Sequence, residues 1–420
     1  MDETYVMQTY GRKAVEFVRG EGMRLYDSEG NEYLDFIAGI GAVSVGHAHP
    51  QVTAALQQQA AKLLHVSNYY YVEGRGELAQ KLNGLLNATV GTLAHASAAT
   101  PAGAPAPVPA NAPAHSSTPW HSFFANSGTE AVEGAIKLAR KYGTTRLGGA
   151  TTIVSAWRSF HGRTLAALAA TGQPSKQEDF APLPAGFVHV ELNDTTALAQ
   201  ALDNPAAPVC AVLLECIQGE GGVWPCTAEY LRAVREETQK RGILLIIDEV
   251  QTGFYRTGTY PFAFQHYGIV PDVVTVAKGM GNGVPVGAFC AHGAAGEILV
   301  PGDHGSTFGG SPLVVAAANA TLDALAAQDC ATNAHQVGAY LQQRLATLPL
   351  VTQVRGKGLM VGVALASPVA AQVVDAALAH GLVLNSIGPA ILRFLPPLIC
   401  TIPQVDTLID RLTPLLKEHS

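Results

Sequence analysis

The chain has 420 residues, 48% of them hydrophobic and 14% charged, ample for a large core divided between two domains. Its 26 basic and 33 acidic residues leave a formal charge of −7 with no strong basic run, which argues against nucleic acid as a partner. No stretch has the uninterrupted apolar length of a membrane span, and the acidic start Met1-Asp2-Glu3 is unlike a secretory signal, so no membrane association and a cytoplasmic location are expected.

Met23-Arg24-Leu25-Tyr26 and Glu32-Tyr33-Leu34-Asp35-Phe36 flank the turn Asp27-Ser28-Glu29-Gly30-Asn31, a pattern that predicts a hairpin. Pro50 opens a helix predicted to run to Leu64, and a second is predicted from Gly76 to Leu86. From about Ala94 to Pro119 the composition narrows to Ala, Pro, Ser and Thr, which reads as a flexible or extended surface insertion. It interrupts a domain without dividing it, because the strand signal resumes at His121-Ser122-Phe123-Phe124.

Apolar strand candidates at 152–156, 209–215, 243–248, 273–277 and 287–291 then alternate with amphipathic helices, the α/β rhythm of a mostly parallel sheet. From about Pro312 the chain turns helical, with later strands expected near 354–364, 383–385 and 392–394. This predicts a large domain over 51–314. A smaller α+β domain is expected from 1–50 and 315–420, the N-terminal hairpin packing with the C-terminal part. The six cysteines (Cys210, Cys216, Cys226, Cys290, Cys330 and Cys400) lack Cys-x-x-Cys spacing and sit in apparent core segments, so they read as reduced thiols.

Asp248-Glu249-Val250-Gln251 closes one apolar run, and Ala277-Lys278-Gly279 closes the next. Such runs read as buried parallel strands, whose carboxyl ends are where open α/β sheets bind ligands. One shared site is therefore expected. A carboxylate facing a lysine suits pyridoxal 5′-phosphate, whose aldehyde a lysine amine binds and whose ring nitrogen a carboxylate keeps protonated. A partly desolvated Lys278, ahead of the glycine-rich 279–283, would have the lowered pKa this chemistry needs. The plainer readings are a surface lysine and a helix N-cap at Asp248, but the adjacent Glu249 argues against casual burial.

Asn126-Ser127-Gly128-Thr129-Glu130-Ala131 lies between a strand and a helix, where backbone N–H groups can meet a phosphate, although small polar residues cap helices everywhere. His47 and His49 are spaced like metal ligands but lack a clear third ligand, so no metal is expected. A nucleotide-binding oxidoreductase would carry Gly-x-Gly-x-x-Gly at its first strand-to-helix turn; that motif is missing, and the glycines at 279–283 come too late.

Eight segments occur in order: Asn-Ser-Gly-Thr-Glu-Ala (126–131), Ser-Phe-His-Gly-Arg-Thr (159–164), Glu-Cys-Ile-Gln-Gly-Glu-Gly-Gly (215–222), Asp-Glu-Val-Gln-Thr-Gly (248–253), Ala-Lys-Gly (277–279), His-Gly-Ser-Thr-Phe-Gly-Gly (304–310), Val-Arg-Gly-Lys-Gly-Leu-Met (354–360) and Leu-Arg-Phe-Leu-Pro-Pro-Leu (392–398). Together they resemble the class III, pyridoxal-phosphate-dependent aminotransferases, over nearly the whole chain except the Ala/Pro insertion. The resemblance implies fold type I, an obligate homodimer with its active sites at the interface, and a role for each matching residue. Lys278 would carry the cofactor and shuttle protons, with Asp248 at the ring nitrogen, Gln251 at the ring hydroxyl and Phe160 stacked on the ring. Gly128 and Thr129 would hold the phosphate, and Thr307 would reach the phosphate bound by the neighbouring subunit. Arg163 would bind a substrate carboxylate, with Ser306 also near substrate.

Arg393 and Glu220 are the expected switch between two substrates. Glutamate brings a carboxylate next to the reacting carbon, which a bidentate arginine receives well. A terminal-amine substrate does not, and would leave that arginine as an unpaired buried charge unless Glu220 masks it. The wording of segments 160–164 and 392–398 leans toward N2-acetyl-L-ornithine as amino donor and 2-oxoglutarate as acceptor, a step of arginine biosynthesis. Ornithine, succinylornithine, succinyldiaminopimelate and 4-aminobutyrate are the alternatives. An aminomutase of the same fold needs no second keto acid, which would leave Arg163 and the Glu220–Arg393 pair without purpose. Tyr69, Tyr70 and Tyr71 read either as a substrate entrance or as an aromatic dimer surface. The chain departs from the family at Val132, Ser311 and Tyr255, the last where Gly is usual.

Overall fold

The computed structural model describes residues 1–88 and 118–419; the predicted Ala/Pro insertion lies outside them, apart from Thr118 and Pro119. The expected hairpin is present. β1 (Phe17–Glu21), β2 (Arg24–Asp27) and β3 (Glu32–Asp35) run antiparallel, with Arg24 opposite Leu34 and Leu25 opposite Tyr33. Its turn is closed by Asp27, whose Oδ1 accepts from the backbone N–H of Glu29 at 3.0 Å and of Asn31 at 2.8 Å. The predicted helices follow at Pro50–Lys62 and Arg75–Leu86.

The next strands are β4 (His121–Ala125), β5 (Thr152–Ala156), β6 (Phe187–Val190), β7 (Val209–Leu214), the short ribbon β8 (Ile217–Gln218) and β9 (Trp224–Pro225), then β10 (Leu244–Asp248), β11 (Val273–Val276) and β12 (Gly287–Ala291). Among the described residues, seven of them form one sheet in the order β4-β12-β11-β10-β7-β5-β6. β12 alone runs antiparallel to both neighbours, so the other strands share one direction. Every residue of β5, β7, β10, β11 and β12 is buried, as a sheet covered on both faces requires. Helices such as Gly128–Arg146 and Ala228–Arg241 supply that cover. The second is bracketed by Thr227, whose side chain accepts from Tyr230 N, and by Gly242 at φ +65°.

The C-terminal part contains helices Pro312–Ala327, Cys330–Leu345, Ala370–Ala379 and Ile402–Lys417 and strands β13 (Val351–Lys357), β14 (Met360–Leu365), β15 (Leu382–Val383), β16 (Asn385–Ile387) and β17 (Ile391–Phe394). Two expectations need correction here. The single strand expected at 354–364 is an antiparallel hairpin, β13 and β14, turning through Gly358 at φ +57°. The strand expected at 383–385 is shared between two sheets: β15 pairs in parallel with β3, whereas β16 joins β13-β14-β17. β15 thus ties the C-terminal part to the N-terminal hairpin, and helix Pro312–Ala327 packs on helices Pro50–Lys62 and Arg75–Leu86.

Candidate active site

β10 and β11 are adjacent and parallel, with Asp248 opposite Thr275, so both open at the same edge of the sheet. There a cavity of about 370 Å³ is lined by Lys278, Asp248, Gln251 and Glu220 together with Phe160, Arg163, Gly128 and Thr129. Asp248 is buried and accepts three hydrogen bonds. His161 Nδ1 reaches its Oδ2 at 2.8 Å; Thr275 Oγ1 and Val250 N each reach its Oδ1 at 3.1 Å. The sequence motifs assign a role to neither His161 nor Thr275. His161 lies inside a quoted motif, but Thr275 is a plain strand residue.

Lys278 starts a tight turn at φ +42°, in the left-handed region that non-glycine residues rarely adopt. Burial pushes its amine below the ordinary lysine range; the Glu220 charge opposes that shift and the Arg393 charge adds to it. The neighbouring Glu249 does find partners, the hydroxyl of Thr252 at 2.5 Å and the N–H of Phe264 at 2.9 Å, and burial pushes it up to about 7.

Glu220 and Arg393 meet as an ion pair, with the arginine fully buried on β17. Gln251 joins them, its amide N–H reaching Glu220 Oε1 at 3.4 Å and its carbonyl accepting from Arg393 Nη1 at 3.4 Å. Asn385 Oδ1 steadies the guanidinium from β16, at 3.1 Å to Nε and 2.8 Å to Nη2. Glu215, another residue not singled out, accepts from Phe160 N at 2.9 Å and Gly219 N at 2.8 Å, so it links the segment bearing Phe160 to the one bearing Glu220. Burial pushes Glu215 up to about 7.

Gly128 is the first residue of a 19-residue helix whose cap, Ser127, accepts from Glu130 N at 3.3 Å. The first N–H groups of a helix have no intrahelical acceptor and favour an anion. Thr129 Oγ1 is 2.8 Å from Thr164 Oγ1, and the Arg163 guanidinium lies 5.7 Å from the Phe160 ring centroid. Ser306 and Thr307 stand apart. Ser306 Oγ accepts from the cavity-lining Asn126 at 3.2 Å, but Thr307 is exposed and off the cavity of its own chain. Asn68 fastens their loop to the segment holding the exposed Tyr69, Tyr70 and Tyr71 through bonds to Ser306 O and Gly309 O.

His47 Nε2 is 2.8 Å from Asp35 Oδ2, and among the described residues no group of three His, Cys, Asp or Glu could hold a metal. Tyr255 adopts φ +67°, a left-handed conformation that carries a penalty for any residue but glycine.

The lining fits pyridoxal 5′-phosphate. A helix start offers N–H groups to a phosphate, Phe160 offers a ring face, Asp248 an oriented carboxylate and Lys278 an amine already displaced toward its neutral form. Comparison with known proteins agrees. Residues 5–416 match the family model described as aminotransferase class-III. The chain is 48% identical over 411 residues to the acetylornithine aminotransferase of Gloeobacter violaceus, covering 96% of this chain and 94% of that one. To the acetylornithine aminotransferase of Mycolicibacterium smegmatis it is 45% identical, covering 99% and 96%. The solved N-acetylornithine aminotransferase of Stenotrophomonas maltophilia superimposes with a TM-score of 0.78 at 32% identity, covering 100% of this chain and 98% of that one. The ornithine aminotransferase of Toxoplasma gondii gives 0.87 at 29%, covering 100% and 94%. With motifs, sheet order, cavity and relatives in accord, the chain belongs to the class III aminotransferases, enzymes of the pyridoxal-phosphate fold type I.

Proposed function

We propose that the protein moves the terminal amino group of N2-acetyl-L-ornithine to 2-oxoglutarate, giving N-acetyl-L-glutamate 5-semialdehyde and L-glutamate. The carrying observation is the buried Arg393 paired with Glu220 at the wall of the lysine cavity, in a chain whose full-length relatives bear the acetylornithine name. When bound, pyridoxal phosphate supplies an aldehyde for the amine and a ring that accepts the electron pair left at the substrate carbon. The rest falls to side chains of this chain. Lys278 holds the cofactor at rest and then moves a proton at the carbon bearing the amine. Asp248, oriented by His161 and Thr275, would keep the ring nitrogen protonated. Gln251 would bind the ring hydroxyl, Phe160 would cover the ring, and Gly128 and Thr129 would receive the phosphate.

With the terminal-amine donor, Glu220 stays on Arg393, and Arg163 at the exposed mouth takes the distal carboxylate. With 2-oxoglutarate, Arg393 turns to the carboxylate beside the reacting carbon, so one cavity serves both substrates. We further propose a cytoplasmic homodimer in which Thr307 completes the partner's cavity, with Ser306 near substrate. Residues 51–314 would form the cofactor domain, with 1–50 and 315–420 forming the smaller one. The exposed Thr307, on one loop cluster with Tyr69 to Tyr71, supports that assembly.

The test is a panel of acetylornithine, ornithine, 4-aminobutyrate and succinylated diamines with 2-oxoglutarate, followed by glutamate formation. Acetylornithine should give the highest kcat/KM; a higher value for ornithine would move the assignment to that substrate. Lys278→Ala should lose the yellow, borohydride-sensitive chromophore, and normal turnover in that variant would end the proposal.

A further inference from the structure

The segment Val-Arg-Gly-Lys-Gly-Leu-Met has no part in the reaction as described, yet its Arg355 is placed for one. Across the sheet β13-β14-β17-β16, Arg355 lies opposite Gly362, Gly362 opposite Arg393, and Arg393 opposite Asn385. Residues directly opposite one another project from the same face, so these four form one cross-strand row. At one end Asn385 holds Arg393. At the other, Arg355 Nε donates to Gly222 O at 2.8 Å, and its guanidinium carbon sits 3.8 Å from the ring centroid of Trp224. Between them Gly362 leaves the room this docking needs: a Cβ there would fall 2.7 Å from Val223 Cβ and 3.2 Å from Gly222 O. Gly222 itself has φ +112°, and a Cβ on it would fall 2.9 Å from Ile391 Cδ1 on β17.

From the opposite side Glu215 takes the N–H of Gly219. The segment 219–223 is therefore clamped at both ends, and Glu220 reaches Arg393 from within it. Arg355 is buried, forms no carboxylate ion pair among the described residues, and its Nη2 finds no acceptor. Its Nη1 donates to Gln353 Oε1 at 2.9 Å, but a side chain that only filled this space would avoid burying a cation with no counter-charge.

We propose that Arg355 is a positioning residue for the Glu220–Arg393 pair: by gripping Gly222 and Trp224 it references the Glu220 segment to the sheet that carries Arg393. The proposal rests on the two-substrate reading above. With a terminal-amine donor Glu220 must mask Arg393, so a loosened segment harms that half-reaction. With glutamate the substrate carboxylate engages Arg393 after Glu220 has let go, so the same loosening costs nothing and removes a competitor.

Arg355→Met and Arg355→Lys test this in the full-length protein, with Trp224→Leu as a variant at a half-exposed ring should the arginine variants fold poorly. Hydrogen exchange, with and without pyridoxal phosphate, should be about tenfold faster across 219–223 in both arginine variants, with strands β10 and β11 unchanged. In single half-reactions followed at the cofactor absorbance, kcat/KM for acetylornithine should fall about tenfold while that for glutamate holds or rises. Trp224→Leu should show a smaller effect of the same sign. Lysine keeps the charge but not the planar fork, so it should not rescue. Unaltered exchange across 219–223, equal losses in both half-reactions, or full rescue by lysine would each overturn the proposal. If the wild-type protein converts neither substrate, the proposed reaction fails and this role goes with it. An unmoved ratio in the variants, with an active wild type, removes only the role of Arg355.

Discussion

His161 and Asp248, 87 positions apart, share a 2.8 Å hydrogen bond in a place where both side chains are buried. The bond runs from an imidazole nitrogen to the carboxylate proposed to serve the cofactor ring nitrogen. Hydrogen bonds to charged groups contribute about 1.5–3 kcal/mol, and each 1.4 kcal/mol is about a factor of ten in affinity. His161→Leu should therefore weaken pyridoxal phosphate binding by roughly ten- to a hundredfold. Titrating the cofactor into cofactor-free protein measures it; an unchanged affinity would leave Thr275 and Val250 as sufficient support for Asp248.

The carboxyl of Glu249 gives a pH-dependent prediction. Burial holds it up at about 7 in the folded protein, against an ordinary 4.5. Between those values the folded state binds more protons than the unfolded chain, so this group's contribution to stability falls as pH rises through the window. Over the whole window the loss is about 3 kcal/mol, at 1.36 kcal/mol per unit. Glu249→Gln removes the titration. Its stability relative to wild type should therefore improve between pH 5 and pH 8, as read from paired thermal melts. A gap that does not move with pH would contradict the assignment.

Gly162 adopts φ +142°, and a Cβ there would fall 2.2 Å from Thr129 Oγ1. Gly162→Ala should strain the backbone by about 1–3 kcal/mol and push Thr129 from the helix start. A lower melting temperature together with looser cofactor binding is expected. A stability loss with unaltered cofactor affinity would show that Thr129 is not a phosphate contact.

Shared sites can be tested by mixing two inactive proteins. Lys278→Ala removes the amine, and Thr307→Glu places a negative charge where the partner's phosphate is proposed to sit. In a hybrid dimer one site carries both lesions and the other neither. Half of the dimers being hybrids, each with one intact site, activity should return to roughly a quarter of wild type. No recovery after verified subunit exchange would place Thr307 in the site of its own chain.

The sheet and the Asp248–Lys278 pair were legible because the buried strands are apolar runs, those of β10 and β11 closing on Asp248 and Lys278, a pattern that needs no partner to be read. β6 was not, being a short edge strand that is only partly buried. The β13–β14 hairpin read as one strand because its turn, Lys357-Gly358-Leu359, interrupts the apolar pattern so briefly. Within the site, Glu220 and Arg393 were accessible through the family resemblance. The supports of Asp248 and Arg393 were not, because Thr275 and Asn385 act across a sheet and carry no local signature.

The cysteines carry a practical consequence. All six are buried and unpaired, and burial pushes those at 210, 290, 330 and 400 up to about 12. At neutral pH almost none of their sulfur is in the reactive thiolate form, and maleimides have no route to it. A cysteine introduced at the exposed Lys240, near the end of helix Ala228–Arg241 and away from the proposed dimer contact, would thus be the sole labelling handle on the native chain, ready for a spin or fluorescent probe without stripping the natural thiols first.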